Sequence, residues 1–417
     1  MHGTFKMKIS LFLFITFFLL LACAKDSGVN SEKNNSSQDC WAGANFIPDK
    51  ESLYTSGSGL QRIVHSGSWL MLEDAWSIPA EGKSGYLVHA PRLFVSAIDG
   101  NRWDTLSVPS KGFVNKIFAD STGFFVGTTN GDLLKYLPDR ERWERINVLD
   151  SSDGVVYTVY GISKYEGNLI VSLAGFKDSI SKEIVSVVRL QKGSSWIDLE
   201  TPPLRYETSG LGTVPFQFHK GVELNGNFYA ATMDGVFELT SGARQWKQLP
   251  FPPKVQYTKQ VVPTQISEIL VHKNNLVIVD ELAELVYEWD ASSNNWRAID
   301  SLVLSGFDKD TLDYRIRINT PRNIHSLVSD GKHLFAAGKN SYPKVYMGDY
   351  GEPYGNIKKG WRSLGGDSCG QDKRIPTTEI YSLDIYNGIL YAASYEGLFK
   401  ISLKNLDKMI ADEKDFF

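Results

Sequence analysis

Gly226-Asn-Phe-Tyr-Ala-Ala-Thr-Met-Asp-Gly235-Val-Phe-Glu-Leu-Thr-Ser-Gly-Ala-Arg-Gln-Trp246 reads as three β-strands in a row. A turn at Asn225-Gly226 opens the apolar run Phe228 to Ala231. A second turn at Met233-Asp234-Gly235 reverses the chain into Val236 to Leu239, and polar residues lead on to Trp246 and Leu249. Short β-rich runs bounded by Gly, Asn and Asp are hairpin signals. One such meander cannot bury both its faces alone and needs copies of itself as neighbours.

The copies are present. Opening turns recur at Gly67, Gly123, Gly167, Gly226, Asn274, Gly331 and Gly388, each followed by an apolar run. Six units close on a tryptophan with an apolar residue three positions on: Trp103/Leu106, Trp143/Ile146, Trp196/Leu199, Trp246/Leu249, Trp296/Ile299 and Trp361/Leu364. Successive tryptophans lie about 40 to 65 residues apart, the period of propeller blades with loop insertions. The expectation is an all-β, seven-bladed propeller of four-stranded antiparallel blades over residues 40–403. Its last blade, Ile380 to Leu403, has three strands and no closing tryptophan, so an N-terminal strand completes it. Trp41 and Ser52-Leu-Tyr-Thr55 both qualify.

Before the repeats, residues 1–22 carry Lys6 and Lys8, then the apolar run Ile9 to Ala22, and no acid, which is the form of an export signal. Leu20-Leu21-Ala22-Cys23 resembles the lipobox of bacterial lipoproteins. The resemblance implies cleavage before Cys23, acylation of its thiol and anchoring in a bilayer. Ala24 rather than Asp after the cysteine implies transfer to the outer membrane of the bacterial envelope. Residues 23–39 are polar and read as a flexible tether. Residues 404–417 read as a C-terminal tail with a short helix that gathers Leu406, Met409 and Ile410.

Three cysteines are present. With Cys23 acylated, Cys40 and Cys369 remain, an even pair in an oxidising compartment, flanking the place where the ring closes. They form a disulfide or stay as two buried thiols. If Trp41 opens the closing strand, the two start on opposite faces of the ring, roughly 17 Å apart. A bridge requires a Cα spacing of roughly 4.4 to 6.8 Å. The chain after Trp361 must then fold down the outer edge, or Ser52 to Thr55 must be the closing strand.

Val126-Gly-Thr-Thr-Asn-Gly131 with Leu133-Leu-Lys-Tyr136 resembles the repeat of two-component-regulator propellers in bacterial sensors. Ala231-Thr-Met-Asp-Gly235 with Val236-Phe-Glu-Leu239 is similar, as is Ala393-Ser-Tyr-Glu-Gly397 with Leu398-Phe-Lys-Ile401. The resemblance implies binding of an extracellular ligand or partner rather than one chemistry. Kelch-like repeats share the tryptophan, but their paired glycines are missing here.

In a four-strand meander, the turns between strands one and two and between three and four lie on one face. The other turns and the links between blades lie on the opposite face. The long links Thr201 to Gln217, Phe251 to Gln265, Asp300 to Asn323 and Gly365 to Thr378, with the insertions Glu73 to Gly85 and Gly175 to Glu183, all fall on that second face. Loops on a rigid scaffold are where function concentrates. These links hold Arg205, Tyr206, Tyr257, Arg315, Arg317, Arg322 and Arg374, residue types of binding hot spots and of carboxylate or sulfate recognition. Asn115, Tyr160, His219, Ser267, His325 and Tyr381 stand near the starts of innermost strands, where they line the mouth of the channel or pack within the ring.

Catalytic signatures are poor. The seven histidines show no metal spacing, and Phe307-Asp-Lys-Asp-Thr-Leu-Asp313 lacks the glycine and terminal glutamate of a calcium loop. No Gly-x-Ser-x-Gly elbow occurs, and a net charge of −4 gives no nucleic-acid footprint. The expectation is a monomeric binding module for a glycan, peptide or partner protein, lipid-anchored and without metal or cofactor. The alternative is a propeller hydrolase or lyase acting on polysaccharide, which calls for a carboxylate cluster of raised pKa at the channel mouth.

Overall fold

The computed structural model describes residues 42–43, 59–74, 77–79, 87–89, 91–98, 102–149, 154–177, 184–202, 204–205, 213–214, 216–252, 266–280, 285–299, 324–338, 341–346, 361–363, 380–394, 397–404 and 406. The first strand, β1 (Ala42–Gly43), pairs at the far end of the chain. Blade 1 follows, with β2 (Leu60–Ser66), β3 (Trp69–Asp74), β6 (Leu93–Ala97) and β7 (Asp104–Leu106). Its insertion between β3 and β6 forms a hairpin of its own, β4 (Ser77–Pro79) with β5 (Leu87–His89). Blade 2 is β8 (Val114–Asp120), β9 (Gly123–Thr128), β10 (Leu133–Leu137) and β11 (Arg142–Ile146). Blade 3 is β12 (Val156–Tyr165), β13 (Asn168–Phe176), β14 (Ile184–Lys192) and β15 (Ser195–Leu199).

A second hairpin, β16 (Leu204–Arg205) with β17 (Thr213–Val214), leads to blade 4. That blade is β18 (Phe218–Leu224), β19 (Asn227–Thr232), β20 (Gly235–Leu239) and β21 (Trp246–Gln248). Blade 5 is β22 (Ile266–His272), β23 (Asn275–Asp280), β24 (Leu285–Asp290) and β25 (Asn295–Ala298). Blade 6 is β26 (Ile324–Ser329), β27 (Leu334–Gly338), β28 (Ser341–Tyr346) and β29 (Trp361–Ser363). The chain ends in β30 (Ile380–Tyr386), β31 (Ile389–Ser394) and β32 (Gly397–Ser402), and β1 lies alongside β32 with Ala42 opposite Lys400 and Gly43 opposite Phe399.

This corrects the expected count of seven like blades. Six blades, not seven, are complete meanders of four consecutive strands. The remaining four-stranded sheet is composite: three C-terminal strands whose outer edge is covered by only two residues from the other end of the chain. The physical reason is visible in the repeat. Six units carry a closing tryptophan strand and the last does not. The links between blades also differ from plain loops, since two of the long insertions pair into the hairpins above.

The tight turns follow from local chemistry. Asn225 (φ 52°) and Gly226 (φ 79°) both take the left-handed conformation, as do Asn387 and Gly388. Two such residues in a row make the hairpin turn whose twist matches that of the flanking strands. The opposite turns use a buried hydroxyl. Thr232 donates from Oγ1 to the Gly235 carbonyl (2.8 Å) and accepts from the Asp234 amide (3.0 Å), and Ser394 donates to the Gly397 carbonyl (2.9 Å). These are the Thr-x-x-Gly and Ser-x-x-Gly stretches in which the sequence resembles the sensor propellers.

Burial is organised between sheets. Met71, Leu93 and Val95 of blade 1 pack on Val114, Ile117 and Phe124 of blade 2, and each later neighbouring pair shares a similar apolar layer. The ring closes where Leu60, Ile63, Leu70 and Leu72 of blade 1 meet Tyr391, Ala393 and Leu398 of the composite sheet. The closing tryptophans serve these layers: Trp296 is buried and donates from Nε1 to the Pro250 carbonyl of the preceding link (2.8 Å). Leu406 is buried against the layer between blade 6 and the composite sheet, while the rest of the expected terminal helix lies outside the described residues. Among the described residues no helix is long and apolar enough to cross a membrane.

Candidate functional site: the channel and its long-link mouth

In each innermost strand the register slips by one residue just after a buried apolar side chain. The slips lie between Leu60 and Arg62, Val114 and Lys116, Val159 and Gly161, Phe218 and Lys220, Ile266 and Glu268, Ile324 and Ser326, and Ile380 and Ser382. A bulge of this kind re-aims a side chain out of the sheet. The bulged residues are Gln61, Asn115, Tyr160, His219, Ser267, His325 and Tyr381, and together they make the upper layer of the channel.

Part of that layer is stitched into the ring. Asn115 donates from Nδ2 to the Val159 carbonyl (2.7 Å), and its own carbonyl accepts from Arg62 Nη1 (2.8 Å). His219 donates from Nε2 to the Ser267 carbonyl (3.2 Å). Burial first, then the nearby Lys116 charge, push the His219 pKa down to about 3, so the ring is neutral. His325 stacks on Tyr381 with ring centroids 5.7 Å apart. Tyr160 is the exposed member, at 38 %. The Ser267 hydroxyl is buried with no hydrogen-bond partner among the described residues.

The next residue of each strand forms a second layer: Arg62, Lys116, Gly161, Lys220, Glu268, Ser326 and Ser382. Arg62 pairs with Glu73 of β3 (2.8 Å) and Lys220 with Glu268 of the next blade. Ser326 accepts from the Leu383 amide (2.9 Å), and Ser382 from the Ile63 amide (3.2 Å). Lys116 makes no hydrogen bond or ion pair among the described residues. Protein surrounds its ammonium within the channel, and the resulting desolvation brings its pKa down to about 7. Arg62 and Lys220 push in the same direction, while Glu268 and Glu73 oppose them. A lysine on blade 2 that feels charges from blades 1, 4 and 5 reaches the axis.

Among the described residues, the mouth on the long-link face exposes several apolar side chains. Six large hydrophobic residues are exposed among those described: Phe113, Val156, Tyr160, Phe176, Ile184 and Phe251. All six belong to this end, at the starts of innermost strands, the end of β13, the start of β14, or the links. Blade 3 projects furthest, because β12, β13 and β14 run nine or ten residues against the usual five to seven. Val156 (67 % exposed) faces Phe176 (58 %), and Phe176 faces Ile184. Directly opposed residues share a sheet face, so the three form one apolar row.

Of the rim residues expected from sequence, Arg205 lies in β16 opposite Thr213. His325 and Tyr381 come together in the mouth as described. Tyr206, Tyr257, Arg315, Arg317, Arg322 and Arg374 lie outside the described residues, as do Cys23, Cys40 and Cys369. The sequence reading missed Gln61, Arg62, Lys116 and Lys220. The signal was available: they stand one or two positions after the apolar residue that opens strands β2, β8 and β18. Among the described residues no cluster of His, Cys, Asp or Glu has metal-holding geometry.

The fold and channel define a β-propeller. No protein-family model matches the chain, and no curated protein matches it. Solved structures do. The extracellular domain of the putative hybrid two-component system BT4673 from Bacteroides thetaiotaomicron is similar over 87% of this chain, at 13% identity and a TM-score of 0.52. A second structure, described as the extracellular domain of a putative one-component system BT4673, gives 14% identity and a TM-score of 0.51. The chain spans 39% and 40% of those two chains. A catalytically inactive virginiamycin B lyase from Staphylococcus aureus is similar over 84% of this chain and 97% of its own, at 10% identity and a TM-score of 0.49. At these identities the likeness is one of fold.

Proposed function

We propose that this protein is an exported binding module, lipid-anchored through Cys23 to the bacterial outer membrane, that takes a polypeptide ligand on its long-link face. The observation that carries the reading is the apolar row Val156, Phe176 and Ile184, exposed on a projecting blade beside Tyr160 and the channel mouth. Exposed apolar groups gathered at one place mark interaction surfaces. Val156 and Ile184 offer no flat face for a pyranose ring, and none of the three side chains can bond its hydroxyls, so a peptide or partner protein fits better than a glycan. Arg205, Tyr206, Tyr257, Arg315, Arg317, Arg322 and Arg374 would supply the polar part of the same rim. No carboxylate occupies the seven bulge positions, which favours binding over cleavage of polysaccharide.

Display of peptide libraries and glycan arrays against the wild type and a Phe176→Asp, Ile184→Asp variant tests this. Because both residues are exposed, the variant keeps its fold, and its peptide affinity falls at least about tenfold. Equal binding by both proteins removes the row from the site, and a glycan-only ligand would overturn the polypeptide reading. Anchoring has a separate test: Cys23→Ser should move the protein from the membrane to the soluble fraction. The Cys40–Cys369 bridge belongs to the same proposal. It closes a loop of more than 300 residues, worth at most roughly 5 kcal/mol in the chain-entropy account. Labelling of both thiols in the non-reduced protein would rule it out.

A further inference from the structure

Blade 3 leaves part of a sheet edge open. Its third strand, β14, pairs with β13 from Ile184, opposite Phe176, onward. The outer strand β15 covers β14 only from Val188, opposite Leu199, to Lys192. The chain then turns away, and the Glu200 amide donates to the Arg244 carbonyl beside blade 4 (3.0 Å). Ile184, Val185, Ser186 and Val187 therefore have no strand on their outer side among the described residues. Blades 4 and 5 end flush instead. There the Leu249 amide donates to the Val236 carbonyl and the Ile299 amide to the Val286 carbonyl, at the second residue of β20 and of β24.

These bonds also fix which groups face outward. Val188 holds the same place as Val236 and Val286: each lies opposite the second-strand residue that pairs just past the slip of the innermost strand. Strand residues two apart aim their N–H and C=O the same way. Ser186 and Ile184 thus present two donors and two acceptors to the open side. Edge strands are commonly blunted by charge, proline or a bulge. Ile184-Val-Ser-Val187 has no charge and no proline, and its pairing with β13 is regular. The open start of β28, residues 341–343, by contrast includes Pro343. The edge is also held in place. Val185 and Val187 pack into the layer shared with blade 2, and Ser186 Oγ donates to the Phe216 carbonyl ahead of β18.

We infer that residues 184–187 receive an extended segment of a partner polypeptide as an added outer strand of blade 3. This rests on the reading of the long-link face as a polypeptide site and gives it a binding mode. Backbone donors and acceptors at strand spacing are matched by another extended backbone, and side chains then set the preference. The row Val156, Phe176, Ile184 runs outward across the sheet, so the partner residue opposite Ile184 prolongs it. Partner residues on the other face lie beside Val185 and Val187. The segment is therefore apolar on both faces and uncharged over this stretch. A second copy of the chain is the poorer occupant. Four residues against four fall far short of the roughly 20–30 residues a side of a stable interface between folded proteins. A flexible segment draws its affinity from main-chain hydrogen bonds instead.

Random heptapeptides displayed on phage, selected against the purified full-length protein, are the probe, and a retained peptide is then synthesised. Retained peptides share a run of apolar, β-branched residues. Binding of the synthetic peptide slows amide hydrogen exchange at Ser186 at least about tenfold. Methylating the peptide's amide nitrogens one at a time abolishes binding at alternate positions only. Ser186→Pro removes an outward N–H without removing a bond to β13, and weakens binding at least about tenfold. Ser186→Ala removes the hydroxyl, keeps the N–H and binds as the wild type does. Where the proline variant does not fold, the exchange and methylation results decide. No retained peptide, unchanged exchange at Ser186, methylation effects that do not alternate, or wild-type affinity in a folded Ser186→Pro overturns the proposal. Self-association of the free protein that Ser186→Pro abolishes overturns it too, by seating a second copy on the edge. If the Phe176→Asp, Ile184→Asp variant loses its peptide while Ser186→Pro keeps it, the apolar row stands and the added strand falls. The reverse result leaves the edge standing without the row.

Discussion

Gly161 stands where neighbouring blades place a lysine or arginine, and the reason is contact. A Cβ there would lie 2.3 Å from the Phe218 carbonyl oxygen and 2.6 Å from the Phe218 ring, because β12 and β18 approach closely at this point. Neither obstacle is the end of a flexible chain, so Gly161→Ala should destabilise the protein by about 1–3 kcal/mol, read as a lowered denaturation midpoint at unchanged slope. His65 makes a prediction in pH. Its Nδ1 lies 2.7 Å from Asp384 Oδ2, and that hydrogen bond raises the histidine pKa above 6.5 against the opposing effect of burial. The folded value exceeds the unfolded one, so the histidine's contribution is complete below about pH 6.5 and is lost as pH rises through the folded pKa. Burial raises the Asp384 pKa, so that acid protonates the carboxyl and ends the pairing from the other side. An NMR titration of the His65 ring should show a midpoint above 6.5, and Asp384→Asn should bring it down. An unmoved midpoint in that variant would assign the shift elsewhere. At this scale the sequence was half legible. Asn115 and His219 stood out by type, but which neighbouring carbonyl each bonds depends on the spacing of the blades. Lys116 looked like any surface lysine until the bulge turned it toward the axis.

The strands themselves were plain in the sequence, because alternation of apolar and polar residues between Gly and Asn turns is a local signal. The insertions were not, because strands of two or three residues are too short to show a period in the sequence. The blade 1 insertion shows how one is held. Asp74 is fully buried at the end of β3, and its carboxylate accepts from the Arg92 backbone amide (2.9 Å) and from Arg92 Nε (2.8 Å) at the start of β6. One aspartate thus fastens both ends of the chain segment that carries the β4–β5 hairpin. Asp74→Ala leaves the Arg92 amide and Nε without this acceptor and should cost about 1–3 kcal/mol. The loss is measurable by equilibrium unfolding, and a value below about 1 kcal/mol would show that solvent already reaches the pair. The hydroxyl turns operate at the same level. They explain why Thr232 and Ser394 stand three residues before Gly235 and Gly397: the hydroxyl supplies a hydrogen-bond partner where the meander reverses.

At the scale of the molecule, closure decides stability. The unit count pointed to a ring, yet the six tryptophan-closed blades and the composite sheet are not equivalent, and their seam joins residues more than 300 positions apart. Two different contacts make that seam. On the outside, β1 covers β32 with two residue pairs. On the inside, β2 packs along β30 and β31: Leu60, Ile63, Leu70 and Leu72 bury against Tyr391, Ala393 and Leu398, and the Ile63 amide donates to Ser382 Oγ. Seven apolar side chains withdrawn from water stabilise the seam more than two backbone pairs at its rim, so the inner contact should hold the ring while the outer one protects its edge. Two variants separate these roles. Tyr391→Ala empties a fully buried aromatic site and should destabilise by about 3–5 kcal/mol, with the protein still monomeric below its unfolding transition. Removing residues 1–43 takes away β1 and leaves the β32 edge open from Gly397 to Ser402. Compared with the full chain under reducing conditions, where a Cys40–Cys369 bridge makes no difference, that protein should lose little in its unfolding midpoint and instead self-associate with rising concentration, as sedimentation velocity would report. The reverse pattern, a large loss of stability on truncation with a small one in Tyr391→Ala, would place the closure of the ring in its outermost strand.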